Sequence, residues 1–180
     1  MIIIAFVIII VLAAVDQLLK AAVVAYLQPV GTITVIPGLL EWKYVENRGA
    51  AFGILADQRW IFMALTVIVI VAAGLYLLSR RCKSPFLAVS LSLVIAGGVG
   101  NLIDRVVLGY VIDYIYVTFF PFIFNFADCC VCIGAVLFLI YILFLEGKGK
   151  KAQAPAGEGV RQNNEGNHPD CNDGPGGGAD

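Results

Sequence analysis

Four stretches of the chain stay apolar over the length a bilayer demands: residues 2–27, 60–79, 86–103 and 126–145. A hydrocarbon core about 30 Å thick takes roughly 20 residues of helix. The first stretch is interrupted only by Asp16, Gln17 and Lys20, the second carries no charge, and the fourth holds one acid, Asp128, near its start. No Lys or Arg precedes the first apolar run, and the run resumes at Ala21, so it reads as a retained helix rather than a cleaved leader. The pattern predicts an all-α integral membrane protein with four transmembrane helices.

Between the first two stretches the period shortens. Ile33 to Ile36 and Leu40 to Val45 are strand formers on either side of Pro37-Gly38, a sequence suited to a turn. A small hairpin on the outer surface is expected there, with Asn47-Arg48-Gly49 as a second turn. Ala50 to Gln58 suits a short interfacial helix with Phe52, Ile54 and Leu55 toward lipid. Residues 28–59 and 104–125 are the outer loops of this scheme. From residue 147 to 180 the apolar pattern gives way to Gly-rich, polar sequence, which predicts a disordered tail behind a four-helix domain of residues 1–146. No internal repeat relates the two helix pairs, which weighs against a repeat-built transporter.

Composition agrees: 60% of residues are hydrophobic and 14% charged, too apolar for a soluble domain. Eight Lys/Arg meet eight Asp/Glu in residues 1–146, a balance that excludes a basic nucleic-acid binder. Basic residues do set direction. Arg80, Arg81 and Lys83 crowd the second link, and Lys148, Lys150 and Lys151 follow the fourth helix, so these places and both termini should be cytoplasmic.

With that orientation the spans become a depth scale. At about 1.5 Å per residue, Asp16 lies ~21 Å and Lys20 ~27 Å above the inner boundary, and Asn101 lies ~22 Å up the third helix. Asp104, Arg105, Asp113, Asn125 and Asp128 fall at the same outer level. A carboxylate in a span costs at least ~2.5 kcal/mol and marks a functional candidate. Asp16 and Lys20, four residues apart, share a helix face and can partly neutralise each other. Gly97, Gly98 and Gly100, just below this level, suit close helix packing.

Aspartates are the available titratable groups. The single His168 is in the tail, and no second cysteine pair completes the Cys129/Cys132 spacing, so no metal and no cofactor is expected. Two carboxyls in one partly apolar site share a proton; one can take a proton from water while the other donates one, the chemistry of aspartic proteases. Which two of Asp16, Asp104, Asp113 and Asp128 pair is not decided by spacing.

Five strings carry a resemblance: DQLLK from Asp16, ENRGAAFG from Glu46, GGVGNLIDR from Gly97, GYVIDY from Gly109 and FNFAD from Phe124. Together they make residues 1 to about 146 resemble the signal peptidase II family, four-helix aspartyl proteases of bacterial membranes. The resemblance implies that Asp113 and Asp128 are the catalytic dyad. It implies supporting or substrate-binding roles for Asp16, Lys20, Asn47, Asn101, Asp104, Arg105 and Asn125. The implied substrate is a diacylglyceryl-modified prolipoprotein cut on the N-terminal side of its lipidated cysteine. Membrane lipid is the expected surrounding partner, nucleic acid is not one, and a monomer is expected. Cys129 departs from the small or serine residue common in the family at that place. The outer loop would form a lid. A proton- or cation-coupled transporter is the rival reading, since acids in spans also serve as relays.

Overall fold

Each apolar block forms a helix. The computed structural model describes residues 1–49, 59–79, 82 and 84–145. The expected interfacial helix of residues 50–58, the bases at 80, 81 and 83, and the tail lie outside those residues. Helix α1 spans Ile2–Ala22 and continues through a π-helical turn, Val23–Leu27. Helix α2 spans Arg59–Leu78, α3 Pro85–Val107, and α4 Phe126–Ile140 with a closing π-helical turn, Tyr141–Leu145. Three described stretches are long and apolar enough to cross a membrane: Ile2–Leu27, Pro85–Val107 and Phe126–Phe144; the apolar stretch Met63–Leu78 is shorter.

Helix α3 is the hub. It packs against α1, α2 and α4, and most of it is buried, whereas α1 and α4 turn most of their apolar surface outward. Ser84 caps its start by accepting a bond from the Leu87 N–H, with Pro85 at the first helical position, where its missing N–H costs nothing. Two glycines let the helices close up. A Cβ at Gly97 would collide with the Ala127 carbonyl, and one at Gly134 would lie 2.8 Å from the Ser90 carbonyl. This is the small-residue packing anticipated from the glycine run.

The hairpin is present as β1, Thr32–Ile36, and β2, Leu40–Asn47. Its turn runs through Pro37 and Gly38, with Gly38 at φ +73° and the Leu39 N–H bonded to the Ile36 carbonyl. That conformation is open to glycine and strained for most other residues. The structure extends the expected hairpin into a larger sheet. The second outer loop supplies β3, Val111–Val117, and β4, Ile123–Phe124, giving a four-stranded antiparallel sheet in chain order. The strand was hidden because β3 (VIDYIYV) lacks the alternation of a half-exposed strand; its first four residues are all buried. Helix α3 also runs a turn beyond the expected residue 103, so Asp104 and Arg105 are helical rather than in a loop.

Candidate active site

The polar residues of α1, α3, β3 and α4 meet at one end of the bundle. Asp16, Lys20, Asp104, Asp113 and Asn125 are each 2% exposed or less. Burial on that scale is tolerable only if each group is paired and hydrogen-bonded. Among the described residues no buried side-chain polar atom lacks a partner.

Lys20 is the centre of one half. Its Nζ lies 2.8 Å from Asp16 Oδ2 and 2.9 Å from Asp104 Oδ2, and donates to Asn101 Oδ1 at 2.9 Å. Three acceptors match the three ammonium hydrogens. The carboxylates then reach the backbone of other elements: Asp16 Oδ1 accepts from the Ala127 N–H of α4 at 3.0 Å, and Asp104 Oδ2 from the Ile112 N–H of β3 at 3.2 Å. Gly100 belongs to the same lock, since a Cβ there would stand 2.5 Å from Asp16 Oδ2. One ion cluster thus ties α1 to α3, to the residue before Asp128, and to the residue before Asp113.

The other half is held by amides. Asp113 Oδ1 accepts from Asn125 Nδ2 at 2.7 Å and Oδ2 from Asn47 Nδ2 at 2.8 Å. Asp128 Oδ1 accepts from Asn101 Nδ2 at 2.7 Å and Oδ2 from the Asn125 N–H at 3.1 Å. Asn125 also caps α4, its Oδ1 accepting the Asp128 N–H at 2.9 Å, so the two residues form a capping box. The two carboxyls therefore meet through one asparagine. Asn125 Nδ2 also reaches Asn101 Oδ1 at 3.1 Å, joining this half to Lys20.

Burial, the largest influence, raises the Asp113 carboxyl to about 7, and the neighbouring Asp128 charge adds to the effect; the Asn47 and Asn125 bonds oppose it. A cavity of about 320 Å³ opens beside Asp128 between α2, α3 and α4. Asn101, Arg105 and Asp128 form its polar part, and Leu65, Val69, Ile70 and Val94 are among its apolar walls. Arg105 donates to the Asn101 carbonyl at 3.3 Å.

All nine residues singled out in the sequence thus come to this end of the bundle. Sequence reasoning passed over Gln17, whose Nε2 bonds Asp104 Oδ1 at 3.0 Å and the Gly100 carbonyl at 3.1 Å. Its place next to Asp16 in a span was the available signal. The backbone donors Ile112 and Ala127 had none. Cys129, Cys130 and Cys132 are free thiols.

Comparison with known proteins bears on this arrangement. The family model described as signal peptidase (SPase) II matches residues 8–144. A lipoprotein signal peptidase of Streptococcus thermophilus (strain CNRZ 1066) is 48% identical over 139 residues, covering 77% of this chain and 90% of the relative. One from Clostridioides difficile (strain 630) is 44% identical over 144 residues, covering 79% and 97%. A solved bacterial membrane enzyme, determined by the in meso method at 2.3 Å resolution, superposes with a TM-score of 0.70 at 32% identity, covering 85% of this chain and 94% of that one. The transport reading finds no support among these relatives.

Proposed function

The chain belongs to the signal peptidase II family, membrane peptidases of the aspartic type that remove signal peptides from prolipoproteins, and from that premise we propose that Asp113 and Asp128 are its catalytic pair. The observation that carries this reading is Asn125, which hydrogen-bonds both carboxyls, one of which, Asp128, lies on the wall of an open cavity. Two acids from a strand and a helix are brought to one asparagine, Asp113 to its side-chain amide and Asp128 to its backbone N–H, and Asp128 lines the cavity.

In this scheme Asp113 holds the proton at neutral pH, consistent with a carboxyl raised to about 7. Asp128, on the cavity wall, takes a proton from the attacking water while Asp113 gives its own to the scissile carbonyl oxygen. The tetrahedral intermediate collapses as Asp128 passes its proton to the leaving nitrogen and the diol returns one to Asp113. Atoms and protons balance, and both acids end as they began. Asn47, Asn101 and Asn125 keep the carboxyls aimed, and Arg105 offers positive charge to the developing oxyanion or the substrate backbone. Lys20, with its hydrogens committed to Asp16, Asp104 and Asn101, holds the frame together with Asp16 and Asp104.

The cavity walls suit a lipid-modified substrate: alkyl chains lie along Leu65, Val69 and Ile70, and the peptide bond N-terminal to the diacylglyceryl cysteine lies against Asp128. We place α2 in the membrane as a fourth span, the termini in the cytoplasm and the site near the extracytoplasmic face, following the basic loops. A monomer suffices, since all the site residues come from one chain.

The test is signal-peptide release from a diacylglyceryl-modified precursor by Asp113→Asn and Asp128→Asn. Either substitution is expected to abolish release while the protein still inserts; processing by either variant at the wild-type rate would sink the assignment.

A further inference from the structure

A second cavity lies between the outer end of α1, with its π-helical turn, and the sheet. It has a volume of about 230 Å³ and an almost wholly apolar surface, lined by Leu19, Val23 and Leu27 of α1 and its π-helical turn, Ile33 of β1, Trp42 of β2 and Tyr114 of β3. Leu27 and Tyr114 form a buried floor with Ile112. Ile33 and Trp42 on the walls are 40% and 48% exposed, large apolar groups that no described part of the chain covers.

We propose that this groove seats one acyl chain of a bilayer phospholipid, which fastens the sheet to the outer end of α1. Three observations carry the proposal. First, the groove is continuous with the outward face of a membrane span: Leu18, Leu19 and Tyr26 are exposed along the same turns of α1, and that surface meets lipid. Second, its almost wholly apolar lining, about 230 Å³ in extent, suits a segment of an alkyl chain, which has no polar group to leave unsatisfied there. Third, Trp42 and Tyr26, both exposed, line it, as aromatic residues do where a protein crosses the boundary between lipid tails and head groups. The seat touches Tyr114, the neighbour of Asp113 in β3, so lipid packing and the position of that strand meet in one side chain.

Trp42 is a built-in probe, and Trp60 is the other tryptophan. The full chain carrying Trp60→Phe would be reconstituted in phosphatidylcholine vesicles, either plain or brominated near the glycerol end or the methyl end of one acyl chain. Bromine near the glycerol end is expected to lower Trp42 emission by about two-fold or more, and bromine near the methyl end less. Adding Ala22→Phe, which fills the groove from α1, should restore about half of the lost emission if the quencher sits inside it. A Trp42 merely resting at the interface would be quenched equally with or without Ala22→Phe, and that result overturns the proposal. So would quenching by aqueous iodide but not by bromolipid. So would quenching that fades as protein-to-lipid ratio rises, the mark of a second copy in the groove.

Discussion

Two groups of carboxylates lie side by side at the end of this bundle, and they are built differently. Asp16 and Asp104 are closed around an ammonium: Lys20 gives its hydrogens to them and to Asn101, Asp16 Oδ1 also accepts from the α4 backbone, and Asp104 accepts from the β3 backbone at Oδ2 and from Gln17 at Oδ1. Asp113 and Asp128 are held by neutral amides, and Asp128 borders an open cavity. Removing either partner of a buried ion pair leaves the other's charge unpaired, so Lys20, Asp16 and Asp104 hold one another in place. Asp113 accepts instead from the neutral amides of Asn47 and Asn125. The contrast matches the proposed division between groups that fix geometry and groups that do chemistry, although all four are aspartates.

The contrast can be broken from either side. Asp113→Asn and Asp128→Asn should cut processing by about a thousand-fold or more while the melting temperature in detergent shifts by only a few degrees. Lys20→Met should do the reverse in kind: two buried carboxylates lose their cation, at about 3–5 kcal/mol, so folded protein is lost before activity can be measured. A Lys20→Met protein that melts like the wild type would erase the distinction.

Gentler tests sharpen it. The rate of processing should fall as pH rises through about 7, because Asp113 loses the proton that burial helps it keep. The same shift affects stability with a definite sign. The folded chain binds that proton more tightly than the unfolded chain, so the contribution is full below the ordinary carboxylate range and is lost as pH climbs toward 7. A melting temperature that instead rose on account of Asp113 over that interval, compared with Asp113→Asn, would contradict the burial argument. Smallest is Gln17→Glu, which sets a third acid beside Asp16 and Asp104 with Lys20 as the near cation. Activity should fall about three- to ten-fold at neutral pH and recover relative to wild type in acid, where a protonated glutamic acid can donate as the amide does. A pH-independent ratio would show that Gln17 does not tune this cluster.

Much of this was legible in the sequence, for physical reasons that differ by element. The Asp16/Lys20 pair could be read because four residues on a helix is a contact distance. The hairpin could be read because Pro37-Gly38 has few other uses. Strand β3 could not, since a strand covered on both faces carries no alternation, and so the framing of Asp113 between Asn47 and Asn125 was also out of reach. The cap on α4 sits between these cases. Asn125 followed three residues later by Asp128 is a capping-box spacing, but a search for paired acids reads it only as a motif. The bonds from Ile112 and Ala127 come from backbone groups, which every residue but proline possesses, and composition cannot reveal which will be used.

The capping box at the start of α4 also fixes a moment in the life of the chain. Asp128 belongs to the last of the described helices to be synthesised, and its carboxyl is aimed by the same bonds that close that helix's first turn. Until α4 has formed and docked against α3, Asn125 cannot bring Asp113 and Asp128 together. A nascent chain with three helices in place therefore carries the locked ions of α1 and α3 but not the proposed dyad, and on that assignment the capacity to cut arrives only once α4 has docked.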